Sequence, residues 1–139
     1  MKRILVDTNV VLDVVLDRLP HAQRSADIWK AVETRTSEGL LAAHAITTIH
    51  YLIQKELGSA KATRLISEIL RVFRVAAVDA PVIEEALRLS LPDFEDAVTA
   101  AAAQLSDCDY IVTRDPKGFR GSPVRPLAPE AALPLLDID

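Results

Sequence analysis

The sequence predicts an α/β protein, three layers deep, with a short and mainly parallel sheet of four to five strands between two layers of helices. Brief apolar runs such as Ile4-Leu5-Val6 and Tyr110-Ile111-Val112 alternate with longer stretches of helical periodicity. Both of these runs stop abruptly at polar residues, Asp7-Thr8-Asn9 and Thr113-Arg114-Asp115. Strands that alternate with helices imply right-handed crossovers, so neighbouring strands run parallel and their carboxyl ends share one edge. Ligands bind at that edge in open α/β sheets.

The 139 residues, read as one domain over 1–139, suffice to bury a real core, and half of them are apolar. No run approaches the roughly 18 apolar residues of a membrane span, and Asp7 and Asp13 interrupt the apolar N-terminal stretch, which also lacks a signal-peptide layout. The single cysteine, Cys108, cannot form an internal disulfide, which fits a reducing cytoplasm. A formal charge of −4 argues against coating nucleic acid by bulk electrostatics, while leaving room for a local basic rim around an acidic pocket.

After the first strand, Val10 to Leu16 reads as a short helix. A second runs from about His21 to Thr34, with Ala22, Ala26, Ile28, Trp29 and Val32 facing inward. Asp13 and Asp17 lie one turn apart, within reach of Arg18 or Arg24. A solvated or ion-paired face accounts for Asp13, although its closeness to Asp7 keeps it as a further acid to consider. Gly39 precedes a second strand, Leu40 to Ala43, and Ala45 to Ile53 continues as helix with Thr47 as a cap. His21 and His44 read as structural residues. Ser59 is placed to cap a helix from Ala60 to about Arg71 with Leu65, Ile69 and Leu70 inward.

Phe73 to Val78 makes a third strand. Asp79 caps the next helix, with Pro81 in its first turn and an end near Leu89, since Pro92 disfavours helix before it. In Pro92-Asp93-Phe94-Glu95-Asp96-Ala97, Asp93 and Asp96 fall on one face of a first helical turn. A capping role explains Asp93, whereas Glu95 and Asp96 load more acid into that turn than a cap needs. The Ala run behind them lets the helix approach a sheet closely. Tyr110 to Val112 is the fourth strand, Val124 to Leu127 an edge strand that tolerates Pro123 and Pro126, and Pro129 to Leu136 a closing helix.

Asp7 and Asp115 therefore end on one sheet edge, and Asp96 reaches the same crevice if the first and fourth strands are neighbours. The residues Asp7-Thr8-Asn9 also serve as an ordinary strand-to-helix turn, Thr8 and Asn9 orienting the carboxylate and capping the helix. Three converging carboxylates, however, repel one another unless a hard divalent cation, Mg²⁺ or Mn²⁺, neutralises them. Such a cation acidifies a bound water and offsets charge on a phosphate under attack, which points to phosphodiester hydrolysis.

With these three motifs in order and in register, the sequence resembles the PIN-domain ribonucleases, which include the VapC-type toxins of bacterial toxin–antitoxin pairs. The resemblance covers nearly the whole chain, and the Asp93-Phe94-Glu95-Asp96-Ala97 run is similar to one PIN subgroup. It implies a metal-dependent endoribonuclease in which Asp7, Asp96 and Asp115 hold Mg²⁺ or Mn²⁺, supported by Thr8, Asn9, Asp93 and Thr113. Arg114, Lys117 and Arg120 are then placed to hold the RNA backbone, although each also reads as a solvated surface charge. It also implies a small antitoxin partner and a homodimer, with exposed Leu and Val on the early helices as contact surface. One departure stands out: where the family has a Glu on the helix after the second strand, the matching residue is His50. A neutral imidazole suits Mn²⁺ or a softer metal better than Mg²⁺. The same departure supports an alternative, a PIN-like binding or assembly module that no longer cleaves. A receiver-type or haloacid-dehalogenase-like phosphotransfer fold fits less well, because Asn9 stands where those folds place a second acid.

Overall fold

The computed structural model describes residues 1–137. Five strands, β1 (Lys2–Val6), β2 (Ser37–Ala42), β3 (Arg74–Ala76), β4 (Tyr110–Val112) and β5 (Arg125–Leu127), form one sheet in the order β3-β2-β1-β4-β5. Every pairing is parallel. The helices are α1 (Thr8–Val15), α2 (Ala22–Glu33), α3 (Ala43–Leu57), α4 (Ser59–Val72), α5 (Ala80–Arg88), α6 (Phe94–Leu105) and α7 (Pro129–Leu136). A 3₁₀ turn, Pro116–Phe119, separates β4 from β5.

The pleat of β1 shows why there are three layers. Ile4 and Val6 point into a cluster with Val10, Ile28, Leu41, Ile49 and Ile69, built from α1 to α4 and joined by Leu136 of α7. Leu5, between them, points into a second cluster with Val82, Ala86 and the alanines of α6. A strand buried on both faces has no use for polar alternation, which is why Ile4-Leu5-Val6 is continuously apolar. Ala100 to Ala103 are all fully buried, and their small side chains bring α6 close against the sheet.

From β1 the chain proceeds to β2 and β3 on one side, then returns to β4 and β5 on the other. The segments leaving β1 and β4 thus diverge at the carboxyl edge and open a crevice there. Ile4 is in register with Tyr110 and Val6 with Val112, and the Asp7 amide extends the ladder to the Val112 carbonyl at 2.9 Å. Asp7 and Thr113 are consequently side by side.

Local expectations failed where tertiary packing decides. Leu70 is 46% exposed, and only Ala62 and Ile69 of α4 are buried outright. Ala26 is exposed, while Ser25 takes the inner place because its hydroxyl has a buried partner. Ser59 lies inside α4, whose cap position is Gly58, and Thr47 lies inside α3, bonding back to the His44 carbonyl at 2.9 Å. Val10, Val11 and Leu12 of α1 belong to the core, whereas Val14, Val15 and Leu16 are partly exposed and Leu19, just beyond the helix, is 84% exposed. Among the described residues no helix is long and apolar enough to cross a membrane. Burial pushes the Cys108 thiol up to about 12, which removes it from nucleophilic chemistry near neutrality.

Gly39 in β2 is required by close approach. A Cβ there would lie 2.7 Å from both Val32 methyls and 2.9 Å from the Phe73 ring. Gly39→Ala is therefore expected to lower stability by about 1–3 kcal/mol through overpacking, read as a reduced urea midpoint at unchanged slope.

Candidate active site

Asp7 caps α1 from the end of β1. Its Oδ1 accepts the Thr8 amide at 2.9 Å, and its Oδ2 accepts the Thr113 hydroxyl at 2.9 Å. Thr113, fully buried at the end of β4, turns the other side of its oxygen to the Asp115 amide at 3.1 Å. One hydroxyl thus ties the first acid to the backbone of the third. Burial raises the Asp7 carboxyl above the usual carboxylate range; Thr113, Thr8 and His44 oppose the rise, and Asp115 adds to it.

Asp96 enters from the first turn of α6, where the Asp93 carboxylate caps the helix by accepting the Asp96 amide at 3.0 Å. Its own carboxyl is pushed up to about 6, first by burial and then by the charges of Asp93, Asp7, Glu95 and Asp115. The three acids therefore feel one another across the crevice. Gly118 shows how near two of them come: a Cβ on it would stand 3.0 Å from Asp115 Oδ2 and 3.3 Å from Asp96 Oδ2. The missing side chain leaves a small hollow between the two carboxylates. Gly118→Ala is expected to crowd both oxygens and weaken divalent-cation binding, measurable by titrating Mn²⁺ into the purified protein.

Among the described residues no three His, Cys, Asp or Glu side chains are already gathered into a metal cage. The donor set nevertheless fits a hard divalent cation. It consists of carboxylate oxygens; burial first, and then the charges of its acidic neighbours, hold Asp96 above its ordinary value, and the hollow at Gly118 lies between two of the carboxylates.

The supporting residues divide. Thr8 contributes its backbone amide, and Asn9 turns outward to accept from Arg18 Nη1 at 3.3 Å, so Asp7 itself is the helix cap. Lys117 and Arg120 are exposed on the segment after Asp115, and among the described residues neither forms an ion pair. Arg114 is different, because its Nε faces inward to Asp13 Oδ2 at 2.8 Å. Asp13 therefore pairs with Arg114, not with Arg18 or Arg24, and it is completely buried.

The imidazole coupled to this site is His44, read from the sequence as structural. Its Nε2 lies 3.4 Å from Thr99 Oγ1, and the Thr99 hydroxyl donates to the Glu95 carbonyl at 3.1 Å. Burial lowers the His44 pKa, while the charges of Glu95 and Asp7 pull it up. Its Nδ1 is buried without a hydrogen-bond partner among the described residues. His50 lies further along α3, partly buried, and its side chain makes no hydrogen bond or ion pair among the described residues. Sequence position held the clue: His44 lies two residues beyond the carboxyl end of β2, in the first turn of α3, and β2 neighbours the strand that ends at Asp7.

These features define an α/β protein with an acid-lined crevice at the carboxyl edge of a parallel sheet. The chain belongs to the PIN-domain family, whose profile matches residues 3–117. Among solved structures it is similar to FitAcB from Neisseria gonorrhoeae, with 22% identity over 91% of this chain and 98% of that one, at a TM-score of 0.73. VapC20 from Mycobacterium tuberculosis, described as a sarcin–ricin-loop-cleaving toxin, matches with 18% identity over 78% and 86% of the two chains, at a TM-score of 0.62. A DNA-bound VapBC structure from Salmonella typhimurium matches with 13% identity over 93% of this chain and 99% of that one, at a TM-score of 0.69. At these identities the likeness is one of fold. No curated protein matches the sequence significantly.

Proposed function

We infer that the protein is a metal-dependent endoribonuclease and the toxin of a toxin–antitoxin pair. The observation that carries the reading is the convergence of Asp7, Asp96 and Asp115, with Asp96 held up to about 6 by burial and by neighbouring acids. An arrangement that repels itself has a use when a divalent cation binds between its members. Asp7, Asp96 and Asp115 would hold Mg²⁺ or Mn²⁺, which when bound supplies an acidified water and charge neutralisation at a phosphate. Thr113 and the Thr8 amide fix the direction of Asp7, and Asp93 anchors the turn that presents Asp96. Lys117 and Arg120, exposed on the adjoining rim and free of ion pairs among the described residues, suit the RNA backbone.

Support for the partners comes from the neighbours. One is named as a toxin that cleaves the sarcin–ricin loop, another as a toxin–antitoxin complex from Klebsiella pneumoniae. A small antitoxin and a second copy of the chain are accordingly the proposed protein partners, and the cytoplasm the proposed place of action. Exposed Tyr51 and Leu57 on α3 and Leu70 on α4 offer apolar surface for such contacts.

Purified protein incubated with a pool of structured RNAs should cleave with Mg²⁺ or Mn²⁺ and stop with chelator. Absence of cleavage with either ion, from folded protein free of antitoxin, would favour the alternative, a PIN-fold binding module. Metal preference bears on the imidazoles. His44→Gln is expected to shift the balance toward Mg²⁺, because it removes the nitrogen coupled to Asp7. A His50→Glu variant with unchanged metal affinity would confine that influence to His44.

A further inference from the structure

Asp13 is a charged residue with 0% exposure in the core of an otherwise apolar helix face, beside Val10, Val11 and Leu12. Its Oδ2 accepts the Ser25 hydroxyl of α2 at 3.1 Å and faces Arg114 Nε at 2.8 Å. Its Oδ1 has no hydrogen-bond partner among the described residues, and Arg114 Nε, although this close, meets Asp13 as an ion pair without hydrogen-bond alignment. A buried ion pair costs several kcal/mol of desolvation per ion and is often no more stabilising than apolar residues of the same shape. An incompletely satisfied one is poorly explained as a stability device.

Its location suggests another use. Asp13 sits on α1, the helix that Asp7 caps, and Arg114 lies between Thr113 and Asp115. Thr113 already ties the loop to Asp7 through its hydroxyl. Arg114 adds a second tie, one residue later, to the same helix. Two successive anchors leave the backbone at Asp115 little freedom to rotate its carboxylate out of the crevice. We propose that Asp13 and Arg114 are a positioning pair that locks the loop carrying Asp115 onto α1 and so sets the spacing between Asp115 and Asp7. The proposal rests on the nuclease reading only in assigning a metal to those acids. It also removes Arg114 Nε from direct duty on RNA.

The test uses the full chain as Asp13→Asn, Arg114→Gln, Arg114→Lys and the double variant Asp13→Asn with Arg114→Gln. Mn²⁺ affinity is read by the electron paramagnetic resonance of free Mn²⁺, without RNA, and amide hydrogen exchange of the metal-free protein is followed in parallel. Each neutral single variant should weaken Mn²⁺ binding about 10-fold, the range for groups that orient metal ligands. Exchange at residues 113–118 should quicken while β1 and β2 stay protected. The double variant should be no worse than the poorer single one, since both remove the same contact, and Arg114→Lys should keep most of the affinity. Additive losses would overturn the pairing. So would normal Mn²⁺ binding and exchange in Arg114→Gln with a raised KM for RNA, which would make Arg114 an RNA contact. If the parent binds no Mn²⁺, the nuclease reading fails, and exchange alone decides: local, non-additive loosening upholds the lock, and unchanged exchange refutes it.

Discussion

Asp96→Asn is expected to reduce RNA cleavage by about 100-fold or more and, at the same time, to stabilise the metal-free protein at neutral pH. The first effect follows from removing a charged oxygen ligand, because several kcal/mol of transition-state stabilisation depend on the cation that it would hold. The second follows from linkage. The Asp96 carboxyl, ordinarily near 3.8, is raised to about 6 in the folded chain. The folded state therefore binds this proton more tightly than the unfolded state does. The stability this contributes is complete below the ordinary value and is lost as pH rises through about 6. An amide has no charge to acquire, so the variant escapes that loss, by about 1–2 kcal/mol once solvent screening of a partly exposed group is allowed for. Urea unfolding in chelator at about pH 4 and about pH 8 separates the cases: parent and variant should diverge at the higher pH.

Thr113→Val carries the second large effect. Valine matches threonine in shape but removes the donor to Asp7 Oδ2 at 2.9 Å and the acceptor for the Asp115 amide at 3.1 Å. Leaving these groups unpaired beside a fully buried side chain should cost about 2 kcal/mol. Because the lost bond favours the ionised form of Asp7, its carboxyl should rise further. The destabilisation should thus be larger at high pH, where Asp7 is charged, than at low pH, where it is protonated. Cleavage should fall about 10- to 100-fold with the spacing of Asp7 and Asp115 relaxed. A Thr113→Ser variant, which keeps the hydroxyl, should recover most of it.

Much of the sheet, and the caps that present the acids, were legible in the sequence because each rests on local signals. Tyr110 to Val112 is a short apolar run bounded by polar residues, and Pro129 to Leu136 begins with a proline suited to a first helical turn; both elements have those bounds. Asp79 and Asp93 are caps recognisable from the residues that follow them, and each accepts the amide three residues on. The neighbouring of β1 and β4, on which the approach of Asp96 depends, stood as a condition in the sequence and is met by the strand order of the sheet.

What the sequence left hidden depends on residues far apart along the chain. The partner of Asp13 was sought at Arg18 or Arg24, but burial against α2 selects Arg114 from across the sheet edge. Leu70 has helical spacing suited to a core position, yet it lies on a side of α4 that leaves it 46% exposed. Of the imidazoles, the motif drew attention to His50. The fold instead couples His44 to Asp7 and Glu95, because the turn from β2 into α3 brings it beside the end of β1.

Thermal unfolding of the parent and of Asp96→Asn, each with chelator and with excess Mn²⁺, tests the central claim that the three acids form a cation site, without needing the RNA target. Mn²⁺ at a hundredfold excess over its Kd should stabilise the parent by about 2.7 kcal/mol. Asp96→Asn should start from a higher midpoint in chelator at pH 7.5 and gain little from the ion. A parent indifferent to Mn²⁺, or a variant that responds as the parent does, would contradict the account.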